Sequence, residues 1–363
     1  MPEFYVGLMS GTSLDGVDAV LADLGSDQTQ VVGHRHHGYT PALRTELLSL
    51  NQSAGDELRR AALAANHLAR EYAAIANTLL AQCAVNARTV TAVGCHGQTV
   101  RHQPADGYTI QLVNGSLLAE LTGVTVICDF RGRDIAAGGE GAPLAPAFHQ
   151  AVLASPDTHR VIVNIGGIAN LTDLPPATTV TGFDCGPGNV LLDAWVQQHL
   201  QQPFDRDGAW ARTGRTIPEL LARLLDIDYF RRVPPKSTGR DAFNYDWLAR
   251  HLSGTEQPAD VQATLLALTA TCITDAIAKY CANAQEVYLC GGGARNAALA
   301  ELLARQLAPR IVAATDMLGV NAEHVEALAF AWLARQTLKS RPGNLPAVTG
   351  SRGLRVLGAI YPA

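Results

Sequence analysis

Three glycine-rich turns, each directly after an apolar run, are the features of this sequence that could carry chemistry. They are MSGTSLDGVD at 9–18, NIGGIANLT at 164–172 and LCGGGARN at 289–296. Glycine lets backbone N–H groups converge on an anion, and Ser or Thr hydroxyls add donors. A helix that begins after the third turn would point its positive dipole end at the same anion. One such turn is more often a tight strand exit, but three together predict phosphate binding.

Other features exclude several classes of protein. The sequence contains no GxxxxGK[ST] stretch and no GxGxxG opening a helix after a first strand, so neither a P-loop nor a dinucleotide Rossmann site is supported. A net charge of −5 argues against nucleic acid as the main partner. The seven scattered cysteines form no CxxC pair, which fits a reducing compartment. No apolar run approaches the ~20 residues of a membrane span, and no signal peptide is recognised, so we expect a cytoplasmic protein.

Asp184 is the candidate general base. It ends an apolar run in FDCGPGN at 183–189, where a turn would project its carboxylate into a cleft. The alternative is a turn-capping aspartate that accepts from the backbone of Gly186 or Gly188. Asp193 is a competing carboxylate, which we expect on a helix, facing solvent or a partner in the other lobe.

Basic and imidazole side chains could bind an anionic sugar. Arg131 and Arg133 flank a glycine, and on an extended segment both would point the same way toward one anion; the alternative is a pair of surface arginines. His96, between two glycines, could contact a sugar or be a satisfied core histidine. Glu326 and Glu323 would share a helix face, either solvated or with Glu326 in the cleft. KSTGR at 236–240 could be a mobile basic loop near phosphate, but we expect a surface loop.

Strands that alternate with helices predict an α/β fold with largely parallel sheets and an N-terminal hairpin. The glycine-dense stretch 131–146 is expected to be irregular and to mark the boundary between two lobes. The expected division is a first lobe at 1–128, a second at 129–345 and a tail at 346–363 that returns to the first lobe. Strands are predicted at 4–9, 17–24, 90–95, 108–113, 124–128, 160–166, 179–184 and 286–290, and helices at 58–82, 190–200, 294–307, after an Asp260 cap and after an Asn321 cap.

The order of the turns resembles the superfamily of actin, hexokinases and heat-shock chaperone ATPases. The resemblance implies a two-lobed, ribonuclease H-like fold with ATP in the cleft between the lobes. It also implies that 9–18 and 164–172 are phosphate loops and 289–296 the adenosine motif. Met9 and Asn164 stand where the superfamily carries aspartates, so Mg2+ is implied but its ligands are not assigned; Asp15 or Asp18 could supply the charge. The implied nucleotide-binding residues are Gly11, Thr12, Ser13, Leu14, Asp15, Gly16, Val17, Asp18, Asn164, Gly166, Gly167, Gly291, Gly292 and Gly293.

Longer strings resemble one family within that superfamily, the anhydro-N-acetylmuramic acid kinases of bacterial cell-wall recycling. They are GLMSGTSLDGVDAV, GCHGQT, DFRGRDIAAGGEGAPLAP, NIGGIANLT, FDCGPGN and CGGGARN, and they span nearly the whole chain. The family converts 1,6-anhydro-N-acetylmuramic acid, ATP and water into N-acetylmuramic acid 6-phosphate and ADP. The resemblance implies Asp184 as the base and a homodimer, while His96, Arg131, Arg133 and Glu326 remain candidate sugar contacts on the grounds given above. The alternatives are an ordinary N-acetylhexosamine kinase and an actin- or chaperone-like ATPase.

Overall fold

The structure is a computed structural model that describes residues 2–11, 14–26, 29–239 and 242–363. The chain divides into two compact units. Unit 1 comprises Met1–Val152 and His324–Ala363, and unit 2 comprises Leu153–Glu323. Each unit has its own buried apolar cluster, as the length of the chain predicts.

Unit 1 is built on a mixed sheet. Its strand order is β13-β7-β4-β1-β2-β3, in which β1, β4 and β7 are parallel and β2, β3 and β13 are antiparallel to their neighbours. A separate hairpin joins β5 and β6. The strands are β1 (Phe4–Met9), β2 (Gly16–Asp23), β3 (Gln30–Gly38), β4 (Val90–Cys95), β5 (Gln98–Gln103), β6 (Tyr108–Leu112), β7 (Val126–Cys128) and β13 (Ala359–Tyr361). The helices are α1 (Pro41–Ser49), α2 (Glu57–Gln82), α3 (Gly115–Thr122), α4 (Gly132–Ala136), α5 (Ala145–Leu153), α12 (Val325–Leu338) and α13 (Pro346–Thr349).

Two paired glycines let α12 lie directly on this sheet. Gly7 of β1 pairs with Gly94 of β4 in the parallel register. A Cβ atom on Gly7 would stand 1.9 Å from the Ala327 carbonyl oxygen, and one on Gly94 would stand 2.0 Å from the Phe330 carbonyl oxygen. No side chain fits at either position, so the centre of unit 1 depends on backbone-to-backbone contact with a helix from the end of the chain.

Unit 2 repeats the same arrangement. Its sheet runs β10-β9-β8-β11-β12, with β8, β11 and β12 parallel and β9 and β10 antiparallel. The strands are β8 (Arg160–Ile165), β9 (Ile168–Leu174), β10 (Thr181–Pro187), β11 (Glu286–Cys290) and β12 (Ile311–Ala314). The helices are α6 (Val190–Leu200), α7 (Pro218–Leu225), α8 (Asp228–Arg231), α9 (Tyr245–Ala249), α10 (Pro258–Tyr280) and α11 (Ala297–Leu307).

The two sheets correspond strand for strand. The order β3-β2-β1-β4-β7 in unit 1 matches β10-β9-β8-β11-β12 in unit 2, with the same antiparallel and parallel pairings. This duplicated meander followed by parallel strands is the ribonuclease H-like topology of actin-like ATPases, so the predicted α/β fold class is confirmed. The glycine turn at 10–15 joins β1 to β2, and the turn at 166–167 joins β8 to β9 at the corresponding place.

Helix α10 is the longest apolar helix of unit 2. It has the length and hydropathy of a membrane span, but 78% of its most apolar window is buried inside the protein. The predicted stripe residues Val261, Leu265, Leu268, Cys272 and Ile277 are all buried in the unit 2 cluster. Helix α10 is therefore the central core helix of that unit.

Several predicted element boundaries differ from the structure. The stretch 131–146, expected to be irregular, is so at 137–144 but contains α4 and the first residues of α5. Asp260 lies inside the first turn of α10, where its carboxylate accepts from the Arg215 N–H, and Gln257 is the N-cap. Asn321 lies before α12, whose N-cap is His324. Helix α11 begins at Ala297, after a short 3-10 turn at Gly292–Arg295.

The lobe boundaries also fall elsewhere. The first unit continues to residue 152 rather than 128, because α4 and α5 pack within it, and the chain returns to it at 324 rather than 346. Phe148 of α5 contacts the Trp332 ring of α12 edge-on, at 6.2 Å between ring centres. The tail lies in unit 1, where β13 pairs with β7.

Candidate functional site

The first glycine turn is held by buried polar side chains of unit 1. Ser10 Oγ donates to the Gly97 carbonyl at 2.9 Å and lies 2.7 Å from the Tyr72 hydroxyl. Gln98 Nε2 donates to the Gly11 carbonyl at 3.1 Å. The GCHGQT motif therefore supports the start of the first turn through direct hydrogen bonds.

His96 is buried and engaged at both ring nitrogens. Its Nδ1 donates to the Ser10 carbonyl at 3.0 Å, and its Nε2 accepts from Arg131 Nη2 at 2.9 Å and Nε at 3.1 Å. Burial, and secondarily the Arg131 charge, lower the pKa of His96 to about 3, so the imidazole is neutral. This is the geometry of the core-histidine alternative, and it links the first turn to Arg131.

The side chains of residues 11–18 differ in what they can offer a ligand. Leu14 and Val17 are buried in the unit 1 core, so only their backbone is available. A Cβ on Gly16 would stand 2.2 Å from the His37 carbonyl oxygen, so this glycine serves the close pairing of β2 with β3. Asp15 is exposed. Thr12 and Ser13 lie outside the described residues.

Asp18 belongs to a histidine cluster. Its Oδ1 lies 3.1 Å from His34 Nε2 and 3.1 Å from His36 Nδ1, both on β3. Although burial acts in the opposite direction, these two histidine hydrogen bonds hold the pKa of Asp18 below its usual value. The carboxylate is thus oriented by β3.

Arg131 and Arg133 do not share a face. The segment is helical rather than extended: Arg131 is the N-cap of α4 and Arg133 lies in its first turn. Residues two apart on a helix point in different directions. Arg131 Nη1 donates to the Gly141 carbonyl at 2.8 Å, whereas Arg133 is exposed.

Glu323 and Glu326 also do not share a helix face. Glu326 lies in the first turn of α12 and is half-buried. Glu323 precedes the helix and lies 3.4 Å from Arg295 Nε. The predicted pairing fails because α12 begins at Val325.

In unit 2, the second glycine turn is held by backbone hydrogen bonds from the FDCGPGN motif. The Gly167 carbonyl accepts from the N–H groups of Gly188 at 2.9 Å and Val190 at 3.1 Å, and the Gly166 carbonyl accepts from Asn189 N–H at 2.8 Å. These carbonyls face α6, so an anion at this turn could be bound only by its N–H groups.

The third glycine turn lies against the second. A Cβ on Gly291 would stand 2.3 Å from Asn164 Oδ1, and one on Gly293 would stand 2.3 Å from Ile165 Cγ2. Gly291 also has a positive φ of 78°, which favours glycine. Gly292 differs, because a Cβ there would meet no heavy atom within 4 Å. Packing therefore explains two of these glycines, while the third faces open space where a ligand could approach.

Asn164 contributes an unsatisfied polar atom to this place. The residue is only 4% exposed, and its Oδ1 has no hydrogen-bond partner among the described residues. Buried amide oxygens are normally bonded, so an unpaired one beside two glycine turns marks a place for a donor.

Asp184 lies on β10 at the edge of this group of turns. Its Oδ2 accepts from the Thr238 N–H at 3.0 Å, and its backbone N–H donates to the Lys236 carbonyl at 3.2 Å. Its backbone carbonyl accepts from the Tyr229 hydroxyl at 2.6 Å. The Gly188 N–H is bonded to Gly167, not to Asp184, which removes one form of the turn-capping alternative. The carboxylate is half-buried and held by a segment distant in sequence.

A profile of the anhydro-N-acetylmuramic acid kinase family matches residues 3–363. The chain belongs to this family.

Curated members of the anhydro-N-acetylmuramic acid kinase family are similar over their full length. The chain is 54% identical over 362 residues to the member from Nitrosomonas europaea, covering 99% of this chain and 100% of the relative. It is 55% identical to the member from Nitrosospira multiformis, with 99% of each chain covered, and 52% identical to that from Chromobacterium violaceum, with 100% of each covered. The chain is accordingly an enzyme of the kinase class.

Solved structures resemble it more distantly. An activator of 2-hydroxyisocaproyl-CoA dehydratase from Clostridium difficile, with bound ADPNP, aligns with a TM-score of 0.48 at 13% identity, over 93% of this chain and 96% of that one. A ROK family glucokinase from Streptomyces griseus, with glucose and AMPPNP, aligns with a TM-score of 0.41 at 12% identity, over 92% and 99%.

Three residues around Asp184 were missed or misread from the sequence. Tyr229 carries no motif and Thr238 lies in the KSTGR stretch, and they contact Asp184 from 45 and 54 positions along the chain. Lys236, expected in a surface loop, is only 9% exposed, and burial lowers the pKa of its ammonium group. Arg240, in the same predicted loop, lies outside the described residues.

Proposed function

We propose that the chain uses water and ATP to open the 1,6-anhydro ring of anhydro-N-acetylmuramic acid and to phosphorylate its O6. The products are N-acetylmuramic acid 6-phosphate and ADP, as in cell-wall recycling. Family membership over the whole chain supports this reaction. The observation that carries the residue assignment is the half-buried Asp184 carboxylate, which is held by the Thr238 N–H and lies on β10, the strand that pairs with β9 after the second glycine turn.

The Asp184 carboxylate acts on water in this proposal. It accepts a proton while the water oxygen attacks the anomeric carbon, and the bond from that carbon to O6 breaks. The released O6 then attacks the γ-phosphorus, and ADP leaves. One base is sufficient, because the phosphoryl step depends mainly on positioning and charge neutralisation.

The glycine turns are the proposed ATP site. In unit 2, Asn164, Gly166 and Gly167 would contribute to phosphate binding, and Gly291–Gly293 would lie at the adenosine. In unit 1, Gly11–Asp18 would form the other phosphate loop, with backbone donors other than Leu14, whose N–H donates to the Gly11 carbonyl at 3.4 Å. The open space at Gly292 leaves room for a ligand in unit 2, and the unpaired Asn164 Oδ1, an acceptor, would bind a donor such as water rather than a phosphate oxygen.

Mg2+ is expected to accompany ATP, and the residues fit a loosely held ion. Within the described ranges, no group of three or more His, Cys, Asp or Glu side chains could hold a metal. Mg2+ usually keeps several waters and binds through substrate phosphates and few carboxylates. We therefore assign it no cage of protein ligands; when bound, the ion would neutralise phosphate charge.

The sugar contacts are proposed in unit 1. Arg131 would bind the lactyl carboxylate or the transferred phosphate, with His96 fixing its guanidinium through two hydrogen bonds. Arg133 and Glu326 are further proposed contacts. His96 would act through Arg131, since both of its ring nitrogens are already engaged.

We further propose a cytoplasmic homodimer. The resemblance to the family implies it, and α2 offers exposed apolar side chains, including Leu58 at 90% and Leu63 at 53%. Helix α10, the other helix with an apolar face, is used in the core. Light scattering that gives the mass of a single chain would contradict the dimer.

The test is a coupled ADP-release assay with 1,6-anhydro-N-acetylmuramic acid, followed by mass analysis of the product made in 18O-labelled water. We expect sugar-dependent ADP release and one 18O atom in the phosphorylated product. Phosphorylation of N-acetylglucosamine without need of the anhydro bridge would favour an ordinary N-acetylhexosamine kinase. ATP turnover independent of any sugar would favour a chaperone-like ATPase.

A further inference from the structure

The segment from Tyr229 to Thr238 contacts Asp184 at three different groups. The Tyr229 hydroxyl donates to the Asp184 carbonyl at 2.6 Å, the Lys236 carbonyl accepts from its N–H at 3.2 Å, and the Thr238 N–H donates to its carboxylate at 3.0 Å. We call this segment the clasp. It holds the residue at the backbone on both sides and at the side chain.

The clasp is also tied to itself. Lys236 Nζ donates to the Tyr229 carbonyl at 3.3 Å and lies 4.6 Å from the centre of the Tyr229 ring. A buried ammonium over an aromatic face is attracted by the ring quadrupole. The Tyr229 ring packs edge-on against Phe230 and Phe243, at 5.7 and 5.9 Å between ring centres. Tyr229 therefore has little rotational freedom.

Asp184 needs such support because the strand ladder is irregular where it lies. The register between β9 and β10 shifts between Asp184 and Gly186: Asp184 pairs with Asn170, but Gly186 pairs with Ala169. Gly186 also has a φ of 156°. A β-bulge redirects side chains and disrupts the local ladder. The sheet alone leaves the direction of the carboxylate weakly defined at this point.

The Tyr229 hydroxyl is suited to the task. Burial, reinforced by the negative charge of Asp184, raises the pKa of Tyr229, so the hydroxyl remains protonated and acts as a donor. The bond reaches the backbone of Asp184, so it restrains the position of the residue without competing for its carboxylate.

We propose that Tyr229 and the Thr238 N–H are positioning groups, which aim the Asp184 carboxylate at the water that it activates. This inference rests on the proposed role of Asp184. Displacing a catalytic group by about 1 Å can lower the rate by up to about 100-fold. A small displacement of the Asp184 carboxylate would therefore have a large effect on turnover.

The experiment compares Tyr229→Phe with Thr238→Pro in the full-length enzyme, assayed by sugar-dependent ADP release. Tyr229→Phe removes only the hydroxyl, whereas Thr238→Pro removes the N–H donor together with the threonine side chain and fixes φ at this position. The matched controls are Tyr245→Phe, an exposed ring of the same unit, and Thr238→Ala, which keeps the N–H. Asp184→Asn is assayed beside them, together with the melting temperature and the nucleotide Kd.

We expect kcat to fall about tenfold in Tyr229→Phe and more in Thr238→Pro, with the KM for ATP and the nucleotide Kd unchanged. Tyr245→Phe should keep wild-type kcat, and Thr238→Ala should lose less activity than Thr238→Pro. A merely structural role would lower the melting temperature and weaken nucleotide binding together with kcat, and that pattern would overturn the inference.

Other outcomes separate this inference from the proposed function. If Tyr229→Phe has wild-type kcat and Asp184→Asn is inactive, the positioning role of the clasp is wrong, while the role of Asp184 as the base is retained. An active Asp184→Asn would overturn both, because there would be no base to position. If Thr238→Pro fails to fold, Tyr229→Phe and its control decide alone.

Discussion

The glycine turns of the two units occupy the same position in two sheets of the same strand order, but they are held in different ways. In unit 1, side chains hold the turn: Ser10 bonds to Tyr72, and Gln98 reaches the Gly11 carbonyl. In unit 2, backbone bonds hold it, from Gly188, Asn189 and Val190 to the carbonyls of Gly166 and Gly167. The topology therefore determines where a turn lies, and the residues around it determine its rigidity and its chemistry.

The difference extends to the charged groups near each turn. In unit 1, the Asp18 carboxylate is bonded to two histidines and His96 is bonded to Arg131, although the buried Gln98 Oε1 has no partner among the described residues. In unit 2, Asn164 Oδ1 is likewise buried with no partner among the residues that the structure describes. The units therefore differ in how many side chains support the turn, and we expect substitutions of those side chains in unit 1 to affect stability first.

Asp184→Asn should have the largest effect. Because the amide cannot accept the proton from water, kcat should fall by about 10²- to 10⁴-fold, while the glycine turns keep nucleotide affinity near wild type. The coupled ADP assay and a nucleotide titration measure the two quantities. Asp193→Asn is the control, since this carboxylate lies on α6. A larger loss of kcat in Asp193→Asn than in Asp184→Asn would make Asp193 the general base instead.

Acid should destabilise unit 1 through His96. The pKa of His96 is lowered in the folded state. The neutral imidazole therefore makes its full contribution to folding stability above the pKa of about 6.5 that it has in the unfolded chain, and this contribution is lost as the pH falls toward 3. The loss should approach about 1.4 kcal/mol per pH unit within that window. The free energy of unfolding, measured in urea between pH 7 and 4, should decline less steeply in His96→Gln than in the wild type. An equal decline in the two proteins would contradict the buried neutral histidine.

Gly292→Ala tests whether the open space in unit 2 belongs to the nucleotide. The added methyl meets no protein atom, so the stability should not change. A methyl group in the path of ATP should raise its KM about tenfold. Gly55→Ala, which also faces open space, is the control. An unchanged KM would remove Gly292 from the nucleotide site.

Tyr72→Phe should have the smallest effect, and it should fall on stability. The hydroxyl lies 2.7 Å from Ser10 Oγ and 3.0 Å from the Tyr39 hydroxyl, so its removal leaves the buried Ser10 and the half-buried Tyr39 short of a partner. We expect a loss of about 1 kcal/mol in the free energy of unfolding, with kcat within about twofold. Tyr108→Phe, at an exposed position, should be neutral; a lower kcat without lower stability in Tyr72→Phe would reverse the comparison drawn above.

The parts of the fold that sequence reasoning predicted are those with local signals. The strands at 90–95 and 286–290 and the helix at 190–200 have the predicted bounds, because uniformly apolar runs mark buried strands and periodic ones mark helices. Strand β3 was missed because it is a partly exposed edge strand whose GHRHHG sequence carries no apolar alternation. The caps at Asp260 and Asn321 were wrong because α10 begins before Asp260, at Pro258, and α12 begins after Asn321, at Val325.

The candidate site was predictable only in part, for the same reason. The glycine turns and Asp184 stand in recognisable strings, and they were identified on those strings. Their supports were not, because Tyr72 reaches Ser10 across 62 positions and Tyr229 reaches Asp184 across 45. Such hydrogen bonds exist only once the sheets have formed. The extended geometry assumed for Arg131 and Arg133 failed because a short helix follows β7.

The contact of α12 with Gly7 and Gly94 has a consequence for synthesis on the ribosome. The helix that covers the first sheet begins at Val325, so it is translated after all of unit 2. Unit 2 is contiguous in the chain and can fold as soon as it emerges, since domains generally fold as units during synthesis. The amino-terminal sheet must wait, with its glycine-lined face uncovered, until the last forty residues arrive. The half of the enzyme that is made first is therefore the half that is completed last.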